Sequence, residues 1–189
     1  GHAIPALWKG YNILLEKPIS PELSKCRELL KVASECPGKI IVCHVLRYTV
    51  FYNTLKDLIQ SGRIGDVVTI CANENVGYWH QAHSFVRGNW RNSTQTSPMI
   101  LQKSCHDMDI LTWLLGKKCK SVSSFGSIQL FKPERAPEGA AMRCLDGCKV
   151  KDTCPFDAEK IYVTSPKTGR AKGDSWISSV LSVENTVES

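Results

Sequence analysis

The chain has 189 residues, 42% hydrophobic and 22% charged, a globular balance that suits one domain or a domain and part of another. No apolar run approaches the ~20 residues of a membrane helix, and the first ten residues lack the basic-then-apolar order of a secretion signal, so a reducing cytoplasm is the expected compartment. The net charge of +6 comes from 24 scattered basic residues, with GKKCK at 116–120 the nearest approach to a cluster; this argues against a nucleic-acid module and suits a small anionic ligand such as a dinucleotide.

In chain order, residues 3–9 read as the end of a helix closed by Gly10. YNILLEKPI, from residue 11, reads as a short buried strand that stops on Glu16, Lys17 and Pro18. Such a tip is a place to hold a reactive amine; a surface salt pair that ends the strand is the plainer alternative. Ser20-Pro21-Glu22 starts a helix, with a capping hydroxyl, proline at the first turn and an acid near the positive dipole end. Leu23, Cys26, Leu29, Leu30 and Ala33 follow at helical spacing until Pro37-Gly38. KIIVCHVL is nearly continuous and apolar, as in a parallel strand buried on both faces, so the chain opens with a βαβ unit. No G-x-G-x-x-G precedes that unit.

A second helix spans about 51–60, with Phe51, Leu55, Leu58 and Ile59 on one face and Gly62 and Gly65 at its end. DVVTICANENV reads as a strand. GYWHQAHSFVRGNWRNSTQTSP reads as a long polar loop studded with aromatics, and long ordered loops tend to carry function. A single helix from Met99 to Leu115 ends at Gly116, and CKSVSSFGSIQLF reads as another strand. Beyond Lys132 come a Pro-rich, Cys-bearing excursion, a short helix near FDAEKIYV, and a polar Ser/Gly/Lys stretch. Of the nine cysteines, Cys26, Cys36, Cys43, Cys71 and Cys105 sit in apolar segments and read as small hydrophobes.

On the helix after the loop, Gln102, Lys103, His106, Asp109 or Ile110, and Trp113 fall on one side, Met108, Leu111 and Leu115 on another that can face the core, and Lys103 has Asp107 at i+4. This is either part of a site or a surface stripe with an incidental histidine. Arg87, Asn89, Trp90 and Arg91 suit a sugar, since aromatic faces, amides and guanidinium groups match hydroxyls; packing on the sheet is the alternative. His80 and His83 read as surface histidines. Cys144, Cys148 and Cys154, at spacings of four and six, are open to three readings: zinc with a fourth ligand, free thiols, or a disulfide.

ILLEKPIS, YNTLKDLIQSGRIGDVVTI, FVRGNWR and CHDMDILTWLLG, in that order over roughly residues 3 to 130, resemble the Gfo/Idh/MocA family of nicotinamide-dependent sugar and polyol oxidoreductases. The resemblance implies an α/β and α+β architecture. Residues 1–46 would be the remnant of a dinucleotide-binding Rossmann βαβ unit. Residues 47–189 would be an incomplete catalytic domain with a mostly antiparallel sheet and helices on one face. It implies that Lys17 points at the nicotinamide of NAD or NADP and at the reacting hydroxyl, often after a cis bond before proline, and that His106 reaches the same hydroxyl. A base must be able to shed its proton near working pH, and burial beside a cationic nicotinamide favours the amine form of a lysine. Lys17 is thus the expected acid/base; His106 orients the hydroxyl or shares the proton, and Glu16 steadies the strand end or the cofactor side. Where many members carry an aspartate four residues before the histidine, this chain has Gln102, with Lys103 as a substitute donor. The family's glycine fingerprint would precede Gly1 and its sheet would run past Ser189, so weak or absent dinucleotide binding is expected of this chain alone. The implied protein is a homo-oligomer acting on a sugar, polyol or cyclitol, with no nucleic-acid or membrane partner. The alternatives are NAD-assisted glycoside cleavage and a non-catalytic binding or assembly module.

Overall fold

The computed structural model describes residues 1–167 and 169. The polar stretch near the C-terminus, and with it the end of the expected domain 47–189, lies largely outside the described residues. Two compact units emerge: Gly1–Asn75 with Asn92–Ser123, and Val76–Arg91 with the described part of Ser124–Ser189.

The first unit holds α1 (Ala3–Trp8), β1 (Ile13–Leu15), α2 (Leu23–Glu35), β2 (Ile40–Val42), a 3-10 turn (Val45–Tyr48), α3 (Val50–Gln60), α5 (Met99–Gln102) and α6 (Cys105–Leu115); α4 (Tyr78–Gln81) belongs to the other unit. β1 and β2 pair in parallel, Ile13 opposite Ile40 and Leu15 opposite Val42, with α2 as the crossover. The expected βαβ unit is therefore present, with shorter strands. α1 packs on α2 and β1, which encloses Leu7 completely and Leu29 almost so. Gly10 closes α1 at φ +83°, where a side chain would be strained. Gly38 has no room for a Cβ, because the Leu7 and Tyr11 carbonyls crowd it.

Several expectations fail for identifiable reasons. The strands are covered on one face only: Leu14 and Ile41, side by side, are 72% and 57% exposed. Of the α2 stripe Leu29 alone is buried, while Leu23 and Leu30 stay exposed. Ser20 does not cap α2; its Oγ accepts from the Glu22 amide at 3.1 Å in the turn before the helix, and Pro21 also precedes the first turn. Thr49 caps α3, accepting from the Tyr52 amide. Phe51 is 68% exposed, and Leu55, Leu58 and Ile59 are only half-buried, so the expected face of α3 is not enclosed. No strand forms at 66–76 or 119–131 among the described residues; neither segment enters a β-ladder there, and Val68 and Phe125 are 93% and 98% exposed. Cys71 lies in such a segment and is exposed, so it is no core residue. The expected single helix 99–115 breaks at Lys103–Ser104 into α5 and α6.

In the second unit, the first part of the expected loop is helical: α4 (Tyr78–Gln81) runs into a wider turn of helix (Ala82–Val86). YWHQAHSFV contains no glycine or proline to stop it, and Ala82, His83 and Ser84 are buried. His83 is therefore not a surface residue; its Nδ1 lies 2.7 Å from the Tyr162 hydroxyl, a partner that makes its burial tolerable. A short helix covers 158–164 as expected, its Lys160 amide capped by the buried Asp157 carboxylate at 2.7 Å. No helix of the described residues is long and apolar enough to cross a membrane.

Candidate active site

Neighbouring parallel strands end at the same edge of their sheet, the edge where ligands of parallel sheets bind. With Leu15 opposite Val42, the residues two beyond, Lys17 and His44, leave the first unit's sheet at equivalent positions. α6 brings His106 to the same place. Its ring meets that of His44 edge to face, centroids 6.0 Å apart and planes at 85°, and Lys17 is close enough for its charge to act on His106. The Lys17–Pro18 peptide bond is cis.

The break between α5 and α6 gives Lys17 its partner. In an unbroken helix the Gln102 carbonyl would accept from the His106 amide. Here that amide turns to the Lys103 carbonyl at 3.4 Å, and Gln102 O accepts from Lys17 Nζ at 2.9 Å. The side chain of Gln102 accepts from Ser97 Oγ at 3.0 Å. Lys103 does not pair with Asp107; its Nζ lies 3.1 Å from Glu74 Oε1. The helix break removes the i,i+4 geometry on which the expected pair depended.

Asp109 accepts a two-pronged grip from Arg47, Nε to Oδ2 at 2.7 Å and Nη2 to Oδ1 at 2.5 Å, and Oδ1 also faces His44 Nε2 at 3.8 Å. Burial, then Lys17, His44 and Lys103, holds His106 below the ordinary imidazole value, against a smaller opposing pull from Asp107. Burial pushes the Cys105 thiol up, with Lys17 opposing. Burial and the neighbouring Glu16 carboxylate push up the thiol of Cys43, which places Glu16 beside Cys43. The arrangement brings one amine and two imidazoles to one sheet edge, and the amine and the His106 imidazole have the chemistry to hold a hydroxyl and to move its proton.

The other expected site residues belong to the second unit. Arg87 donates through Nη2 to the Phe156 carbonyl at 2.5 Å and lies over the Tyr162 ring within its own unit. Trp90 lies 6.1 Å from Phe85, Arg91 bonds the Gly88 carbonyl at 3.2 Å, and Asn89 is exposed. Cys144, Cys148 and Cys154 are free thiols, and no group of three metal-ligating side chains converges among the described residues. Successive turns over 141–154 separate them, and Cys144 Sγ instead accepts from the Ala158 amide.

Compared with known proteins, residues 56–154 match the C-terminal alpha/beta domain of an oxidoreductase family, GFO_IDH_MocA_C. The chain belongs to the Gfo/Idh/MocA oxidoreductases. It is 27% identical over 160 residues to a Bacillus subtilis protein named, provisionally, as the oxidoreductase YteT, covering 82% of this chain and 37% of that one. It is 28% identical over 123 residues to an uncharacterized oxidoreductase of Streptococcus pneumoniae, covering 65% and 32%, and 28% identical over 123 residues to an inositol 2-dehydrogenase of Corynebacterium glutamicum, covering 63% and 32%. The chain thus spans about a third of the length of the curated relatives it matches. No solved structure is significantly similar to it.

In this Gfo/Idh/MocA chain the stretch matched by the family model contains His106 and Asp109 but not Lys17 or His44. Sequence reasoning overlooked His44, Arg47 and Glu74. His44 was hidden in an apolar run, although its place just past a parallel strand was a readable signal. Arg47 and Glu74 carry no local signal; their partners are 62 and 29 positions away.

Proposed function

We infer that the whole protein is a dehydrogenase that uses NAD or NADP to oxidise a secondary alcohol of a sugar, polyol or cyclitol. Family membership and the relatives named as inositol 2-dehydrogenases support the class. The observation that carries the reading to residues is the meeting of Lys17 and His106 at the C-terminal edge of a parallel sheet. In the same reading residues 1–46 belong to the dinucleotide-binding half and 47–189 to a catalytic half with an antiparallel sheet, in a cytoplasmic homo-oligomer.

The donors present fit the reacting end of the cofactor. Lys17 and the turn at Glu16 and Pro18 would stand beside the nicotinamide, which when bound supplies the hydride acceptor. The β1–α2 connection, residues 16–22, contains no glycine and so is no phosphate cradle. Lys17 as the amine takes the hydroxyl proton. Among the described residues its hydrogen-bond partner is the Gln102 carbonyl. His106 fixes the oxygen of that hydroxyl.

The test uses protein made from the complete reading frame that contains this sequence. Formation of reduced nicotinamide is followed with NAD or NADP over a panel of cyclitols, polyols and sugars. Turnover on at least one cyclitol or polyol is expected, reduced about 10²- to 10⁴-fold in Lys17→Ala. Unchanged turnover in that variant removes the assignment of Lys17, and no reduction of either cofactor by any member of the panel removes the reading.

A further inference from the structure

His44 and His106 share an unusual feature. In each ring Nδ1 is enclosed and has no hydrogen-bond partner among the described residues. A buried donor or acceptor left without a partner costs on the order of 1–3 kcal/mol, and an orphaned buried N–H is the rarer of the two in folded proteins. Each neutral imidazole therefore carries its proton on Nε2. For His44 that N–H faces Asp109 Oδ1 at 3.8 Å, and Asp109 is itself held by Arg47. For His106 Nε2 is the nitrogen left open. The position where a carboxylate would have polarised His106 is Gln102, whose side chain bonds Ser97 and whose carbonyl bonds Lys17.

We propose that His44 is a positioning residue of this site: with the enclosed Nδ1 of His106 it keeps His106 a neutral imidazole protonated on Nε2, a donor to the substrate oxygen, and leaves proton removal to Lys17. The edge-to-face contact with His44 fixes the plane of the His106 ring. The groups that face His106 set its charge: Lys17 from the end of β1, His44 from the end of β2 and Lys103 from the end of α5 oppose a further positive charge whenever they are themselves protonated, and Asp107 on α6 favours it. In the reaction the hydroxyl O–H bond breaks, its proton ends on the Lys17 amine, and His106 keeps its own proton throughout. The catalytic part of this proposal rests on the dehydrogenase reading; the tautomer and its dependence on His44 do not.

The decisive measurement is nitrogen NMR of the full chain labelled at histidine, with each ring assigned through its carbons to the backbone, so that no variant is needed. The expected result at pH 7.5 is a bare, pyridine-like Nδ1 and a protonated, pyrrole-like Nε2 in both His44 and His106. A protonated Nδ1 in His106 overturns the proposal. In His44→Phe, which keeps a ring at the contact, the titration of His106 moves upward; an unmoved titration reduces His44 to packing. In the active protein, His44→Phe lowers kcat about tenfold with little change in KM, and a change in KM alone overturns the positioning role. If no substrate is found, the NMR result still stands or falls alone.

Discussion

At the scale of residues, Asp109 is the pivot of the site. It is 10% exposed at its side chain, and it serves the Arg47 fork and the His44 ring together. A guanidinium fork meets a carboxylate through two parallel hydrogen bonds, which an ammonium cannot reproduce. The pair is neither fully buried nor at the open surface, since Arg47 is 37% exposed. Its worth therefore falls between the extremes, at about 1–2 kcal/mol. Arg47→Lys and Asp109→Asn are each expected to lower stability by about that amount, measured as the shift in urea midpoint at constant slope. The double variant should cost less than the sum of the two, because both remove one interaction. Strictly additive losses would mean that the fork contributes nothing of its own.

At the scale of elements, α6 must be held at both ends to aim His106. Its start is loosened from α5 by the break at Lys103–Ser104. Its end is gripped by Lys56, whose Nζ donates to the Trp113 carbonyl at 2.5 Å and the Leu114 carbonyl at 3.0 Å, 5.3 Å from the Trp113 ring centre. A cation there satisfies carbonyls that have no partner in the helix and meets the negative dipole end. Gly116 then turns the chain at φ +63°. Lys56→Met is expected to cost about 0.5–1 kcal/mol and Gly116→Ala about 1 kcal/mol, read from thermal or urea melts. Unchanged melts in both would mean that the end of α6 is held some other way. These features also mark how far the sequence could be read. Helical periodicity and the glycines past α3 are local, so α2 and α3 were legible to within a few residues. The break at residue 103 is tied to an amine 85 positions away, which no window of sequence contains. The segments 66–76 and 119–131 have strand-like composition, but a ladder needs a non-local partner, and composition does not supply one. In the site, Lys17 and His106 were legible through their motifs. His44 was not singled out, because burial on a strand and display at its tip look alike in a run of apolar residues.

At the scale of the whole molecule, the two units each carry one histidine that folding keeps neutral. In the first unit His106 is held below the ordinary imidazole value by burial and by Lys17, His44 and Lys103. In the second unit His83 is held below it by burial, His80 and Arg87. The unfolded chain takes up these protons near pH 6.5, and the folded chain only at lower pH. Between those values the unfolded state binds more protons, so stability rises with pH there and is lost as pH falls below about 6.5. The alkaline side has the opposite sign. Burial raises Cys43, Cys105 and Tyr162, so the folded state keeps these groups neutral after the unfolded chain has ionised them. That stability is present below the unfolded values, from about 8.5 for thiols to about 10 for the phenol, and is lost as pH rises past them. Urea unfolding across pH 5 to 10 is therefore expected to give a dome with its top between about 6.5 and 8.5. His83→Gln and His106→Gln should each flatten the acid flank, since each removes one suppressed proton site, while leaving the alkaline flank in place. A midpoint unchanged between pH 5 and 7 in the parent chain, or an acid flank as steep in both variants, would show that neither imidazole is held neutral by the fold. In that event the charge balance proposed around Lys17 would fail with it.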